Sequence, residues 1–294
     1  MKTRIYLTLL FLLLIAPAAI SRQASAKAAE EPDIFCRLIL STEKTYVGEA
    51  FVASLMIYTT HNIDRIDVEN GLKHKEFEAM ELKINNVQTS YQRVDGKQYL
   101  AGVLRRWILT PLKKGKHKIE IDDVKAVVEV PQLVDYGFYS AYKYQAIEVD
   151  LPATSVEIQV ESLPGKKPSD FSGAVGLFET DLQMSKRTLI VGEEATLTYS
   201  ISGIGNPGLI AKPTISLPPG ITIKDSKHST DVHLTGKNIV GSYTATYRVV
   251  PTKAGRYSVE LPEFIYFDPA SAKYATIPSR KVDIPVAYGE VFEM

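Results

Sequence analysis

The chain has 294 residues, which is a length for roughly two domains. It carries 34 Lys+Arg and 34 Asp+Glu, and this balance argues against a nucleic-acid binder, which would show a basic excess. Its one cysteine, Cys36, excludes an internal disulfide framework and a cysteine-based zinc cluster.

The N-terminus has the pattern of a secretory signal peptide. Lys2 and Arg4 precede an apolar run from Ile5 to Ile20, and the small residues Ala24-Ser25-Ala26 follow. This pattern predicts a signal peptide over residues 1–26, cleaved after Ala26. The alternative is a retained anchor, but the run is shorter than the roughly 20 apolar residues that span a bilayer. No later run reaches that length, so we expect an exported chain with no membrane span after cleavage.

The remaining sequence is typical of a β protein, because alternation with period two dominates it. In "EEATLTYSIS" the residues Ala195, Leu197, Tyr199 and Ile201 fall on one face, and hydroxyl-bearing residues fall on the other. One segment, residues 75–85, shows helical spacing. We nevertheless predict a strand there, because the matching stretch "LPPGITIKD" contains prolines that disfavour a helix.

Two pairs of landmarks repeat along the chain at nearly equal separation. A V-G-E unit that opens a strand occurs at Gly48 and Gly192, and a P-x-K-x-G turn lies 67 (115 − 48) and 63 (255 − 192) residues further on. Two such matches indicate a tandem repeat of whole domains. The turn residues of the two copies are Pro111 and Gly115, and Pro251 and Gly255.

These patterns predict an all-β fold with two tandem immunoglobulin-like β-sandwich domains after the signal peptide. We place the first domain at residues 34–162 and the second at 177–288. A segment rich in Pro, Gly and Ser, residues 163–176, forms the predicted join. Trp107 and Tyr247 occupy matching positions and are expected to pack between the sheets.

None of the usual motifs of catalysis or cofactor binding is present. Gly203 and Gly205 form a G-x-G, but Pro207-Gly208 follows where a phosphate-binding loop needs a helix. The histidines show no metal-ligand spacing, and no activating base can be placed beside Cys36. Asp122, Asp123 and Asp268 are acidic residues of the kind that bind calcium, but the ligand-rich spacing of a calcium loop is missing. We therefore expect no cofactor, no metal and no enzymatic activity.

The first domain has an aromatic segment without a counterpart of equal length in the second. Its candidate contact residues are Tyr136, Phe138, Tyr139, Tyr142 and Tyr144. Three roles are open: contact with a partner protein, packing on the domain's own core, or stacking on a sugar.

The block from Leu163 to Ile210 resembles the BatD (aerotolerance, "oxygen tolerance") family. The similarity lies in its GAVG element, its VGE element and its SGIGN element, and continues in "YRVVPTKAGRYSVELPEFIYFDPASAKY". The motif residues with structural roles are Gly173, Gly176, Gly203, Gly205, Asn206, Pro251, Gly255 and Asp268, together with the turn glycines Gly48, Gly115 and Gly192.

The resemblance implies a non-enzymatic periplasmic scaffold that acts with membrane proteins bearing von Willebrand A domains (BatA, BatB) in tolerance to oxygen or envelope stress. It implies no catalytic residues. Family members usually continue into a C-terminal membrane helix, which this sequence lacks, so we expect a short form. The alternative function is a carbohydrate-binding module that uses the aromatic segment Tyr136–Tyr144.

Overall fold

The computed structural model describes residues 31–289 except 212 and 214, so the predicted signal peptide lies outside the described residues. Almost all of the regular structure in this part of the chain is β-strand, and a short 3-10 turn at Pro207–Leu209 interrupts it. The expectation of an all-β fold with two tandem immunoglobulin-like sandwiches is confirmed.

Eleven strands form the first domain. A five-stranded sheet of order β1-β3-β7-β5, with β6 also paired to β7, faces two three-stranded sheets of order β10-β9-β4 and β2-β11-β8. The strands are β1 Ile34–Leu40, β2 Lys44–Tyr46, β3 Phe51–Thr59, β4 Asn62–Asp67, β5 Phe77–Leu82, β6 Thr89–Val94, β7 Lys97–Pro111, β8 Gly115–Ile121, β9 Val124–Asp135, β10 Ser140–Leu151 and β11 Thr154–Glu161.

Nine strands form the second domain. A six-stranded sheet of order β15-β16-β14-β12-β18-β19 faces a three-stranded sheet of order β13-β20-β17. The strands are β12 Phe171–Met184, β13 Leu189–Ile190, β14 Ala195–Gly205, β15 Ile221–Thr235, β16 Asn238–Pro251, β17 Gly255–Leu261, β18 Phe264–Asp268, β19 Lys273–Ile277 and β20 Arg280–Ala287.

Each domain has its own hydrophobic core, built by the alternation seen in the sequence. The inward positions of β3 and β7, including Leu55 and Trp107, belong to the first core. Tyr199 and Tyr247 of β14 and β16 belong to the second. The predicted burial of Trp107 and Tyr247 between sheets is confirmed, since their exposed fractions are 3% and 4%. The strand predicted within residues 75–85 is also confirmed, as β5.

The repeated landmarks make the same hydrogen bonds in both domains. The Gly48 amide donates to the Pro111 carbonyl at 2.9 Å, and the Gly192 amide donates to the Pro251 carbonyl at the same distance. Both glycines have φ near +80°, at +85° and +82°, a conformation that glycine adopts without steric cost. The V-G-E unit and the turn therefore act together, and their contact closes the same end of each sandwich.

A long two-stranded ribbon runs through each domain. In the first domain one side of the ribbon is β8 followed by β9, with Asp122-Asp123 between them, and the other side is β10 followed by β11. The antiparallel pairing of the two sides resumes after this break, at Val124↔Leu151 on one side of it and Ile121↔Thr154 on the other. The Asp123 carboxylate accepts a 2.7 Å hydrogen bond from the Ala153 amide across this break. In the second domain β17–β18 and β19–β20 are arranged in the same way.

The predicted join is longer than the connection in the structure. Strand β12 begins at Phe171, inside the segment 163–176, and its first residues pair with β18 in parallel. Glycines and serine in this stretch suggested a linker, but they allow close packing of strands instead. A Cβ at Gly176, for example, would clash with the carbonyl oxygen of Ile204 in β14.

The two domains contact one another directly. The long β15–β16 hairpin places Ile239 in a buried cluster with Val52 and Ile108 of the first domain. The rings of Tyr46 and Phe267 also meet edge to face across the junction, 5.2 Å between centroids. These contacts fix the direction of the first domain relative to the second.

Candidate partner-binding surface

The aromatic segment forms the distal part of the β9–β10 hairpin. The two strands pair without a register shift from Val124↔Leu151 to Asp135↔Ser140, and the Tyr136 amide donates to the Tyr139 carbonyl at 2.9 Å to close the turn. Strand β4 pairs with β9 only as far as Glu129. Residues 131–144 therefore extend beyond the neighbouring strand, and we call them the arm.

The arm is an extension of a ribbon that both domains share. In the first domain, Gly115 at the start of the ribbon and Asp135 before the turn are 20 residues apart (135 − 115). In the second domain, the equivalent residues Gly255 and Asp268 are 13 residues apart (268 − 255). The first ribbon is thus longer by seven residues in each strand. The opposite end of the first ribbon, where β11 ends at Glu161, is followed by the join to the second domain. The arm therefore lies at the end of the first domain away from the second.

The arm's aromatic side chains are exposed. Phe138 at the tip is 103% exposed, and Tyr142 and Tyr144 on β10 are 69% and 60% exposed. The rings of Tyr136 and Tyr139 stack on each other, 5.1 Å between centroids. Packing on the domain's own core, one of the three roles considered, is therefore wrong for these side chains. Contact with a partner and stacking on a sugar both stay predictions.

The two faces of the arm differ. Cross-strand pairs place Tyr142 opposite Leu133 and Tyr144 opposite Pro131, so these four side chains share one face. This face continues the outer surface of the sheet, because the opposite face runs into the core through buried Val130. The result is an exposed strip of aromatic and aliphatic side chains on a narrow hairpin, a surface suited to contact with another molecule.

Toward the base of the ribbon the same outer face becomes acidic. Glu129, Glu148 and Asp150 alternate with inward residues and are exposed. Within residues 31–289 none of these three carboxylates has an ion-pair partner, whereas the nearby cations Arg65 and Lys125 are paired with Asp67 and Glu69. The outer face along β10 is therefore aromatic near the tip and negatively charged near the base.

None of the motif residues singled out in the sequence lies in the arm, and two of them, Gly48 and Asn206, contact the other domain. Gly173 and Gly176 are in β12, and Gly203 and Gly205 are in β14, where the two strands pair closely. Asn206 follows β14 and contacts the first domain through a hydrogen bond to Thr110. Asp268 closes the β18–β19 turn by accepting hydrogen bonds from the Ala270 amide and the Ser271 hydroxyl.

The residues considered for metal binding or nucleophilic chemistry make other contacts. Asp122 forms an ion pair with Lys73, and Asp123 holds the ribbon break. His228 contacts the Tyr243 hydroxyl at 2.8 Å. Burial raises the pKa of the Cys36 thiol to about 12, which suppresses the reactive thiolate at neutral pH. No group of three or more metal-ligating side chains occurs in the part of the chain that the structure describes.

Among residues 31–289, as far as the structure describes them, no helix is long and apolar enough to cross a membrane.

Part of the second domain is similar to a known protein family. Residues 182–286 match a family model described as the BatD DUF11-like domain. The match lies in the second domain and includes the VGE and SGIGN elements, so the resemblance inferred from the sequence is confirmed there. No curated protein matches the chain.

Among solved structures, the chain is similar to that of FdeC, described as a broadly conserved Escherichia coli adhesin. The identity is 14%, and the alignment covers 90% of this chain and 67% of that chain, with a TM-score of 0.24. A similarity at this level supports no argument about function.

Proposed function

We propose, on the basis of the BatD DUF11-like domain at residues 182–286, that the chain is a non-enzymatic protein-interaction module of the bacterial envelope associated with aerotolerance. The arm is its main contact with partners. The observation that carries the proposal is the isolated, exposed aromatic surface of the arm, whose rings contribute nothing to the domain's own core.

Aromatic side chains on a rigid element are effective interface anchors. They bury a large area at a low cost in conformational entropy, and they are enriched among the residues that dominate binding energy. The paired strands hold the arm's rings in fixed positions. The contacts of Ile239 with the first domain then fix the arm relative to the second domain.

The proposed partners are membrane proteins with von Willebrand A domains, of the BatA and BatB type. This assignment rests on the BatD resemblance, which also supports a periplasmic location and a role in oxygen or envelope stress. In this scheme the chain acts as a scaffold: the arm binds a partner while the junction keeps the two sandwiches in a fixed arrangement.

The proposal is tested by removing the arm without unfolding the domain. Residues 131–144 are replaced by Asn-Gly, which forms a tight two-residue turn between Val130 and Gln145. These two residues are a pair in the existing register. The tagged wild-type and shortened chains are used to capture proteins from the solubilised envelope of the host, and the captured proteins are identified by mass spectrometry.

We expect the shortened chain to keep its thermal stability and to lose the von Willebrand A proteins that the wild type captures. A matched control is Tyr91→Ala, because Tyr91 is 74% exposed but lies on β6, outside the arm. Equal capture by the wild type and the shortened chain would show that the arm is not the contact.

The carbohydrate alternative keeps one supporting observation, the exposure of the arm's rings. This alternative predicts that soluble glycan quenches the fluorescence of the arm's tyrosines. It also predicts that the chain captures no protein partners. A wild-type chain that captures proteins in the presence of excess glycan argues against it.

A further inference from the structure

We infer that the outer edge of β10 binds an extended segment of a partner protein, which carries Lys or Arg on one face and aliphatic residues on the other. This inference rests on the proposed function and specifies the partner's chemistry at that site.

The first argument is the free backbone of β10. This strand is the terminal member of the order β10-β9-β4, so its second edge has no strand partner among the described residues. The Tyr136–Tyr139 hydrogen bond sets the alternation of the antiparallel ladder. With this alternation, every second residue of β10 has its backbone N–H and C=O groups pointing away from β9. These residues are 140, 142, 144, 146, 148 and 150. A row of such groups is a template for adding a strand.

The second argument is that the opposite edge of the arm is blocked. Pro131 of β9 lies opposite Tyr144, at a position where the backbone points away from β10. Proline has no N–H to donate, and its ring obstructs a neighbouring strand. An approaching strand would therefore add to the β10 edge and not to the β9 edge.

The third argument concerns charge on the outer face. A strand beside β10 would place its outward side chains next to Tyr142, Tyr144, Glu148 and Asp150. The two carboxylates have no ion-pair partners within the described residues, and the tyrosine rings offer faces for cation–π contacts. Lys or Arg at alternate positions complements both parts of this face.

The fourth argument concerns the inner face. Ile147 and Val149 of β10 pack against the core of the first domain but are only partly buried. Aliphatic side chains at the inward positions of an added strand would cover these two residues. The same strand therefore has two different faces, basic outward and aliphatic inward.

The test uses two synthetic peptides, one of alternating Lys and Val and one of alternating Glu and Val. Each is labelled and titrated by fluorescence anisotropy with the chain lacking residues 1–26, up to about 1 mM protein. We expect saturable binding of the Lys-Val peptide only, weakened by added salt because the charges are exposed.

Three variants separate the contributions of charge and backbone. The double substitution Glu148→Lys/Asp150→Lys should weaken binding by about tenfold or more. Its control is Glu179→Lys/Glu260→Lys, which makes the same charge change on exposed residues of the second domain and should have no effect. Ala146→Pro removes one outward N–H while preserving the ladder to β9, and should also abolish binding.

The inference is overturned if the Lys-Val peptide does not bind, if the Glu-Val peptide binds equally, or if Ala146→Pro binds normally. A dimer of the chain that Ala146→Pro dissociates would also overturn it, because the occupant would then be a second copy. Loss of partner capture on removal of the arm, with normal capture by Ala146→Pro, would sink this inference and leave the proposed function standing.

Discussion

The side-chain amide of Asn206 donates a 3.0 Å hydrogen bond to the hydroxyl of Thr110 and so joins the two domains. Thr110 is 1% exposed. The oxygen of the same amide accepts a 2.8 Å hydrogen bond from the Gly208 backbone. One side chain in the SGIGN element thus orders the turn after β14 and attaches that turn to β7.

Replacing Asn206 by Ala should destabilise the chain by about 1–3 kcal/mol, because the buried Thr110 hydroxyl loses its partner. The measurement is denaturant unfolding. Asn238→Ala, in the exposed turn of the β15–β16 hairpin, is the control and should change stability by less than about 0.5 kcal/mol. Equal stability of the two variants would mean that the hydrogen bond contributes nothing.

Introducing a charge at Ile239 should separate the domains. Ile239 is 7% exposed in the cluster with Val52 and Ile108, and an unpaired carboxylate there is strongly unfavourable. We expect Ile239→Asp to leave both cores folded and to increase the radius of gyration and the rate of protease cleavage in residues 163–170. Lys237→Asp, on the exposed turn of the same hairpin, should behave like the wild type. Unchanged scattering by Ile239→Asp would argue that other contacts suffice.

The repeat provides an internal comparison of two glycines. Gly48 and Gly192 have the same positive φ, so alanine at either position costs about 1–2 kcal/mol in backbone strain. A Cβ at Gly48 would also lie 2.9 Å from a methyl group of Val175, whereas a Cβ at Gly192 meets nothing within 4 Å. We therefore expect Gly48→Ala to lower the free energy of unfolding more than Gly192→Ala does. Equal losses would show that the domain junction adjusts without cost.

Alkaline pH should destabilise the fold. Burial raises the pKa of Cys36 and of Tyr199, each to about 12. Unfolded cysteine and tyrosine lose their protons near pH 8.5 and 10, so the unfolded state is the first to ionise. The Cys36 contribution to stability is complete below about pH 8.5, and the Tyr199 contribution is complete below about pH 10. Each is lost as the pH rises from there toward 12, at about 1.4 kcal/mol per pH unit.

Unfolding measured between pH 7 and 10 tests the cysteine contribution, and Cys36→Ala should flatten the curve over that range. The native thiol should also resist alkylation at neutral pH and react after unfolding. A pH dependence that is identical in the wild type and Cys36→Ala would contradict the assignment to Cys36.

The duplication could be predicted because it depends on local signals. A glycine at a positive φ and a proline at a strand end have the same conformational role in both copies, and Gly48 and Gly192 make equivalent hydrogen bonds. Period-two alternation likewise predicted the inward residues of β14. These properties belong to short stretches of chain and do not depend on which surfaces meet.

The domain junction could not be predicted for the opposite reason. Ile239 and Val52 are far apart in sequence and occupy different positions in their repeats, so no pattern links them. The arm was recognised by its composition, but its exposure depends on where β4 stops pairing with β9. The blocking role of Pro131 depends on the ladder alternation, which only the register reveals.

The continuous ribbon also determines how the molecule responds to force. Because β9 continues β8 and β10 leads into β11, tension applied along the arm passes to the pairing at the base of the first domain. Ladder hydrogen bonds lie across the strands, so a pull along β10 loads many of them together. A pull perpendicular to the arm opens them one pair at a time from the Tyr136–Tyr139 end. A pull along β10 should therefore meet more resistance than a pull that peels the arm open from its tip.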